Sequence, residues 1–115
     1  MPSLNFKKRF APLIEKGEKR QTIRKMRKTP FKSGDTLYLF TGMRTAKCRR
    51  LGVYRCISAE TIHISETSIE LDGRGLSILE IKQLAHNDGF SGSDEFLAFF
   101  SREHDLPLHG QLIRW

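Results

Sequence analysis

The chain has 115 residues, the size of one compact domain, and its eight Phe, two Tyr and one Trp supply enough bulky apolar side chains for a core, which excludes disorder as the main state. Its longest unbroken apolar run, Phe96 to Phe100, falls far short of the ~20 residues of a membrane-spanning helix. No apolar stretch follows the N-terminal charges as a secretory signal requires, and two cysteines are too few for a disulfide scaffold; a reducing, cytoplasmic setting without a membrane partner is therefore expected.

The net charge of +7 is unevenly spread: residues 1–56 carry 16 basic and 3 acidic side chains, a net of +13, whereas residues 57–115 carry 4 and 10, a net of −6. Eight basic residues lie between Lys16 and Lys32 against one acid, Glu18. Such density suits a polyanionic partner, because each neutralised phosphate releases condensed counterions.

In chain order, Phe6, Phe10, Leu13 and Ile14 have helical spacing, but Pro12 is excluded from a helix interior, so a short helix is predicted from Pro12 to a stop at Gly17. Arg20–Arg24 reads as a strand with Ile23 on one face and Arg20, Thr22 and Arg24 on the other. Lys28–Lys32 is a connection, and Ser33-Gly34-Asp35 turns the chain into a strand over Thr36–Thr41, apolar on both faces and hence central in its sheet. After a turn at Gly42, Val53–Ile57, Thr61–Ser65 and Ser68–Leu71 read as strands, the last ending at Asp72-Gly73-Arg74-Gly75. Ser77 and Glu80 form a capping box for a helix that Leu76 staples to Ile81 and Gly89 stops, with Phe90 packing back on its last turn. A further helix starts at Ser91 or Ser93, buries Phe96, Phe99 and Phe100, and ends before Pro107. Gly110–Trp115 is a closing strand with Leu112 or Ile113 inward. Five or six strands with two or three short helices make an α+β pattern, expected to form a small, partly closed barrel of mostly antiparallel strands in a single domain.

Gly17-Glu18-Lys19-Arg20-Gln21-Thr22-Ile23-Arg24 contains Gly-x-Lys-x-x-Thr-x-Arg at the junction of a helix stop and a strand. With Phe10 and Ile14 upstream and Phe31-x-x-Gly-Asp35 downstream, the chain resembles the ASCH domain of the PUA-like superfamily; the resemblance extends through the central strands and the two later helices, with Asp88-Gly89-Phe90 between them, to the last strand. It implies a PUA-like β-barrel whose cleft is lined by Lys19, Thr22 and Arg24. The residues themselves support part of this. Thr22 and Arg24 share a strand face, and a hydroxyl beside a guanidinium fork suits a phosphate or a base edge. Lys19, near Lys16, Arg20 and Arg24, is expected to have a lowered pKa from like charges. A second basic cluster, Arg44 to Arg50, is expected to edge the same cleft through Arg44 and Lys47.

The resemblance implies RNA or nucleotide binding through Gly17, Lys19, Arg20, Thr22, Arg24, Arg44 and Lys47. The alternative it offers is hydrolysis, either of RNA or of the amide of N4-acetylcytidine, the latter using the motif Lys and Thr with a Glu located just before the helix that begins here at Ser77. Arg74 stands at that place, so Lys19 and Thr22 would need Glu70 or Asp72 as the acid. A third reading is a protein-interaction module with an acidic partner. No cofactor or metal is expected: Cys48 and Cys56 are eight residues apart, the wrong spacing for a zinc finger beside His104 and His109, and His63 and His86 have no neighbours suggesting a catalytic triad.

Overall fold

Alternation sets the strands. A computed structural model describes residues 3–115. Along β3 (Thr36–Thr41), Leu37, Leu39 and Thr41 are buried and Tyr38 and Phe40 half-buried, the pattern of a strand covered on both faces. It is the central strand of a three-stranded sheet, as expected, flanked by β1 (Ser3–Phe6) in parallel and β4 (Arg49–Arg55) antiparallel. A second sheet runs in the order β2 (Gln21–Lys25), β8 (Leu108–Arg114), β5 (Ser58–Ile64), β6 (Ile69–Leu71), β7 (Arg74–Gly75), every neighbouring pair antiparallel. Both Leu112 and Ile113 are fully buried, because β8 lies between β2 and β5 and is covered on both faces.

The protein is thus an α+β domain, but its strands form two sheets rather than one closed barrel, and they number eight among the described residues. The expected strand over Val53–Ile57 is divided: β4 ends at Arg55 and β5 begins at Ser58. At this corner Cys56 N–H donates to Asp35 O at 2.7 Å and Ile57 N–H donates to Arg114 O at 2.8 Å, so consecutive residues serve different sheets. Asp72 and Gly73, both at positive φ, form a tight hairpin instead of simply ending β6, and Arg74–Gly75 return as β7.

A 3-10 turn (Lys8–Phe10) leads into α1 (Ala11–Glu15), with Pro12 in its first turn, where the missing N–H costs nothing. The α2 helix (Ile78–Asn87) has the expected capping box: Glu80 N–H donates to Ser77 Oγ at 3.2 Å and Ser77 N–H to Glu80 Oε1 at 3.0 Å. At its other end Phe90 N–H reaches Ala85 O and Gly89 N–H reaches His86 O, a Schellman closure around Gly89 at φ +96°. The α3 helix (Ser93–Glu103) presents Phe96 and Phe100 to the core. Phe90 packs edge-on against Phe10 at 5.5 Å and Phe96 at 5.4 Å between ring centres, clamping both later helices to the segment before α1. Each such buried ring contributes about 1.5–3 kcal/mol, so this aromatic cluster fixes the end of α2 firmly.

Candidate functional site

Three motif side chains reach one cleft because the chain reverses at Gly17. Gly17 takes φ +77°, and the N–H groups of Glu18 and Lys19 both donate to Leu13 O, at 2.9 and 3.1 Å. This wraps residue 19 back under α1, and its side chain enters the core with 2% of its surface exposed. A lysine is almost never buried this far without a partner. Its partner is Asp88, the residue that caps the C-terminus of α2: Lys19 Nζ donates to the Asp88 backbone carbonyl at 2.5 Å and lies 3.2 Å from its carboxylate Oδ1. Gln21 Nε2 supports the same Oδ1 at 3.4 Å. Burial pushes the Lys19 pKa down, opposed by the Asp88 charge, and burial pushes the Asp88 pKa up, opposed by Lys19. The expected direction for Lys19 holds, but desolvation is its main cause; of the like charges expected to act, only Arg24 contributes, together with Arg9.

Arg24 joins the two sheets. From β2 its Nε donates to Thr22 Oγ1 at 3.2 Å, while Nη2 reaches Asn5 O on β1 at 2.7 Å, and its guanidinium lies 4.7 Å over the Phe6 ring. Desolvation lowers its pKa to about 10, partly offset by Asp88, so it stays a cation at neutral pH. Thr22 and Arg24 therefore stand side by side, as strand alternation predicts.

Around these groups lies a cleft of about 160 Å³. Lys19, Thr22, Arg24 and Asp88 supply its polar lining, and Phe6, Phe10, Phe90, Phe99 and Phe100 its aromatic walls. Lys19 Nζ sits 4.8 Å from the centre of the Phe10 ring. At the rim Lys7 pairs with Glu103 at 3.1 Å, and His104 stacks on Phe100. The cleft combines charged and hydrogen-bonding groups with flat apolar rings, and Lys19 and Arg24 lie directly over two of those rings; such a mixed lining suits a planar group with polar edges.

The other candidate residues lie elsewhere. Arg20 precedes β2 and turns away from Thr22 and Arg24; its Nε donates to Trp115 O at 3.0 Å and its guanidinium lies over Tyr54, because Trp115 N–H in turn donates to Arg20 O and closes the sheet there. Gly17 is exposed and shapes the turn. Arg44, at φ 66°, and Lys47 are exposed in the β3–β4 turn; that turn is tied to Asn5 by a bond from Met43 N–H to Asn5 Oδ1, but neither basic side chain lines the cleft. Glu70 is half-exposed on β6 facing His63, and Asp72 accepts from Thr61 N–H in the β6–β7 hairpin. Arg74 pairs with Glu80. The carboxylate that meets Lys19 is thus Asp88. Its sequence signal is its position: an acid at a helix C-terminus faces the carbonyl end of the macrodipole and calls for a compensating cation. Asn5 and Phe6 have no comparable signal, since β1 shows only Leu4 and Phe6 as alternating apolar residues.

Among the described residues, no three His, Cys, Asp or Glu side chains are grouped to hold a metal ion, and no helix is long and apolar enough to cross a membrane. Comparison with protein-family models, curated proteins and solved structures finds no match to this chain.

Proposed function

We propose that the protein is an ASCH domain that binds single-stranded RNA or a nucleotide, seating one base in the Lys19–Thr22–Arg24 cleft. The observation that carries this reading is the convergence of those three side chains, scattered over six residues of sequence, on one aromatic-walled concavity. On this reading the two sheets, bridged by Arg24 to Asn5 and joined by the chain at the Cys56–Ile57 corner, are an opened PUA-like barrel. Arg24 offers its remaining N–H groups to a base edge or phosphate, the Thr22 hydroxyl donates or accepts, and Lys19 donates while Asp88 holds it in place. Phe99, the one phenyl ring of the cleft that is not buried, is the face offered to a base, and such stacking is worth about 1–3 kcal/mol. The surplus of positive charge in residues 1–56 supplies the sequence-independent attraction. Fluorescence anisotropy with a labelled single-stranded RNA hexamer tests it: binding should weaken steeply with salt and fall about tenfold in Arg24→Ala. Insensitivity to both changes rejects it.

A second reading, hydrolysis of the amide of N4-acetylcytidine to cytidine and acetate, is favoured by one observation: a buried amine of lowered pKa lies 3.2 Å from a carboxylate beside a threonine hydroxyl in the same cleft. Here Asp88 takes the place expected for Glu70 or Asp72. Chromatography of N4-acetylcytidine incubated with the protein decides this reading; no cytidine at high protein concentration removes it.

A further inference from the structure

Where the cleft ends at Arg24, a second concavity begins. This groove, of about 410 Å³, is lined by Ser3, Leu4, Arg24, Lys25, Arg27 and Phe31. Ser3 to Lys7 run along both concavities, about 13 Å of extended chain, so the two form one continuous path past Arg24.

Its charge is unbalanced. Arg9, Arg49 and Arg114 each pair with a glutamate, and Arg74 with Glu80, whereas Arg24, Lys25 and Arg27 have no acid within 4.0 Å among the described residues, and no acid lines the groove. The two arginines are also held in place, Arg24 by its contacts with Thr22 and Asn5. The Arg27 guanidinium lies 4.3 Å over the Phe31 ring. Phe31 is buried, and its backbone is fastened on both sides by Gln111: Phe31 N–H donates to Gln111 Oε1 at 2.9 Å and Gln111 Nε2 donates to Phe31 O at 2.8 Å. Stacking occupies the face of the guanidinium and leaves its N–H edge free, the arrangement that suits a tetrahedral oxyanion.

We propose that this groove is a phosphate subsite, in which Arg24, Lys25 and Arg27 take the phosphodiesters that flank the base seated in the cleft. The inference rests on the cleft being a base site and narrows its ligand: the preferred ligand is a strand, and a free nucleoside leaves the groove unfilled.

The experiment compares wild type, Arg24→Ala, Lys25→Ala/Arg27→Ala and a control of equal charge loss, Lys8→Ala/Lys82→Ala, for binding of the RNA hexamer between about 50 and 200 mM salt, with thermal melting to show that each variant is folded. The groove double variant should bind about tenfold more weakly at low salt, with a salt slope smaller by about 1.4, the loss of two single-strand phosphate contacts. The control should keep the wild-type slope. Nucleoside binding, followed by NMR with cytidine and adenosine, should be the same in the groove variant and wild type. If the hexamer binds wild type and is weakened by Arg24→Ala but not by the groove double variant, the phosphate subsite is overturned and the base cleft stands. Equal weakening in the groove and control variants also overturns it. If wild type binds neither hexamer nor nucleoside, both readings fall.

Discussion

Lys19 Nζ lies 3.2 Å from the Asp88 carboxylate and 2.5 Å from the same residue's backbone carbonyl, across 69 residues of sequence. Both side chains are buried, so the pair ties the turn after α1 to the last turn of α2 at the floor of the cleft. Such a pair is weak evidence for stability, since the cost of desolvating two charges offsets most of their attraction, but removing one partner leaves the other stranded.

Asp88→Asn should therefore destabilise the fold by about 3–5 kcal/mol near neutral pH, measured by urea denaturation. The deficit should depend on pH. The folded-state pKa of Lys19 is lowered from 10.5, so between the lowered value and 10.5 the unfolded chain holds more protons and stability rises with pH. Loss of the opposing carboxylate lowers that pKa further and widens the window, so the deficit should shrink as the pH rises toward 10.5. A deficit constant over that range contradicts the assignment of charge.

Arg24→Lys should behave almost like Arg24→Ala in RNA binding. One ammonium at the end of a flexible stem does not reproduce a planar fork that reaches Thr22 Oγ1 and Asn5 O at once while covering the Phe6 ring. A loss of about tenfold in hexamer affinity is expected, against near-wild-type affinity if only the charge matters.

Gly110→Ala should be among the most damaging small substitutions. A Cβ there would lie 2.2 Å from the backbone oxygen of Arg24, across the β2–β8 ladder. Relief requires β2 itself to move, so a stability loss of about 3 kcal/mol is expected, together with weaker ligand binding. Calorimetry and anisotropy measure the two.

Ser77→Ala separates helix stability from the site. It removes the acceptor for Glu80 N–H and should cost about 1 kcal/mol. The Schellman closure and the Phe90 packing at the opposite end of α2 still hold Asp88, so hexamer affinity should change by less than about twofold.

These contrasts track what the sequence makes legible. The α2 boundaries are readable because every group involved lies within a few residues: Ser77 with Glu80 at one end, Gly89 and Phe90 at the other. Thr22 and Arg24 are readable because strand alternation places them together, whereas Arg20 deviates because its partner, Trp115, lies 95 residues away. The position of Asp88 signals a needed cation but not which one. Two sheets rather than one barrel could not be read from local pattern, since the switch depends on Cys56 and Ile57 bonding to Asp35 and Arg114, neither of them a sequence neighbour. β1 escapes because four residues with two apolar side chains carry too little periodicity, and its Phe6 and Asn5 complete the site.

The most direct test of the cleft is an NMR titration of labelled protein with the RNA hexamer, following the Arg24 Nε–H signal and the backbone amides of residues 19–24. The account predicts saturable shifts of Arg24 Nε–H and Thr22, accompanied by Asn5 and Phe90. Shifts confined to the Arg44–Arg50 turn, with Arg24 unmoved, would contradict it.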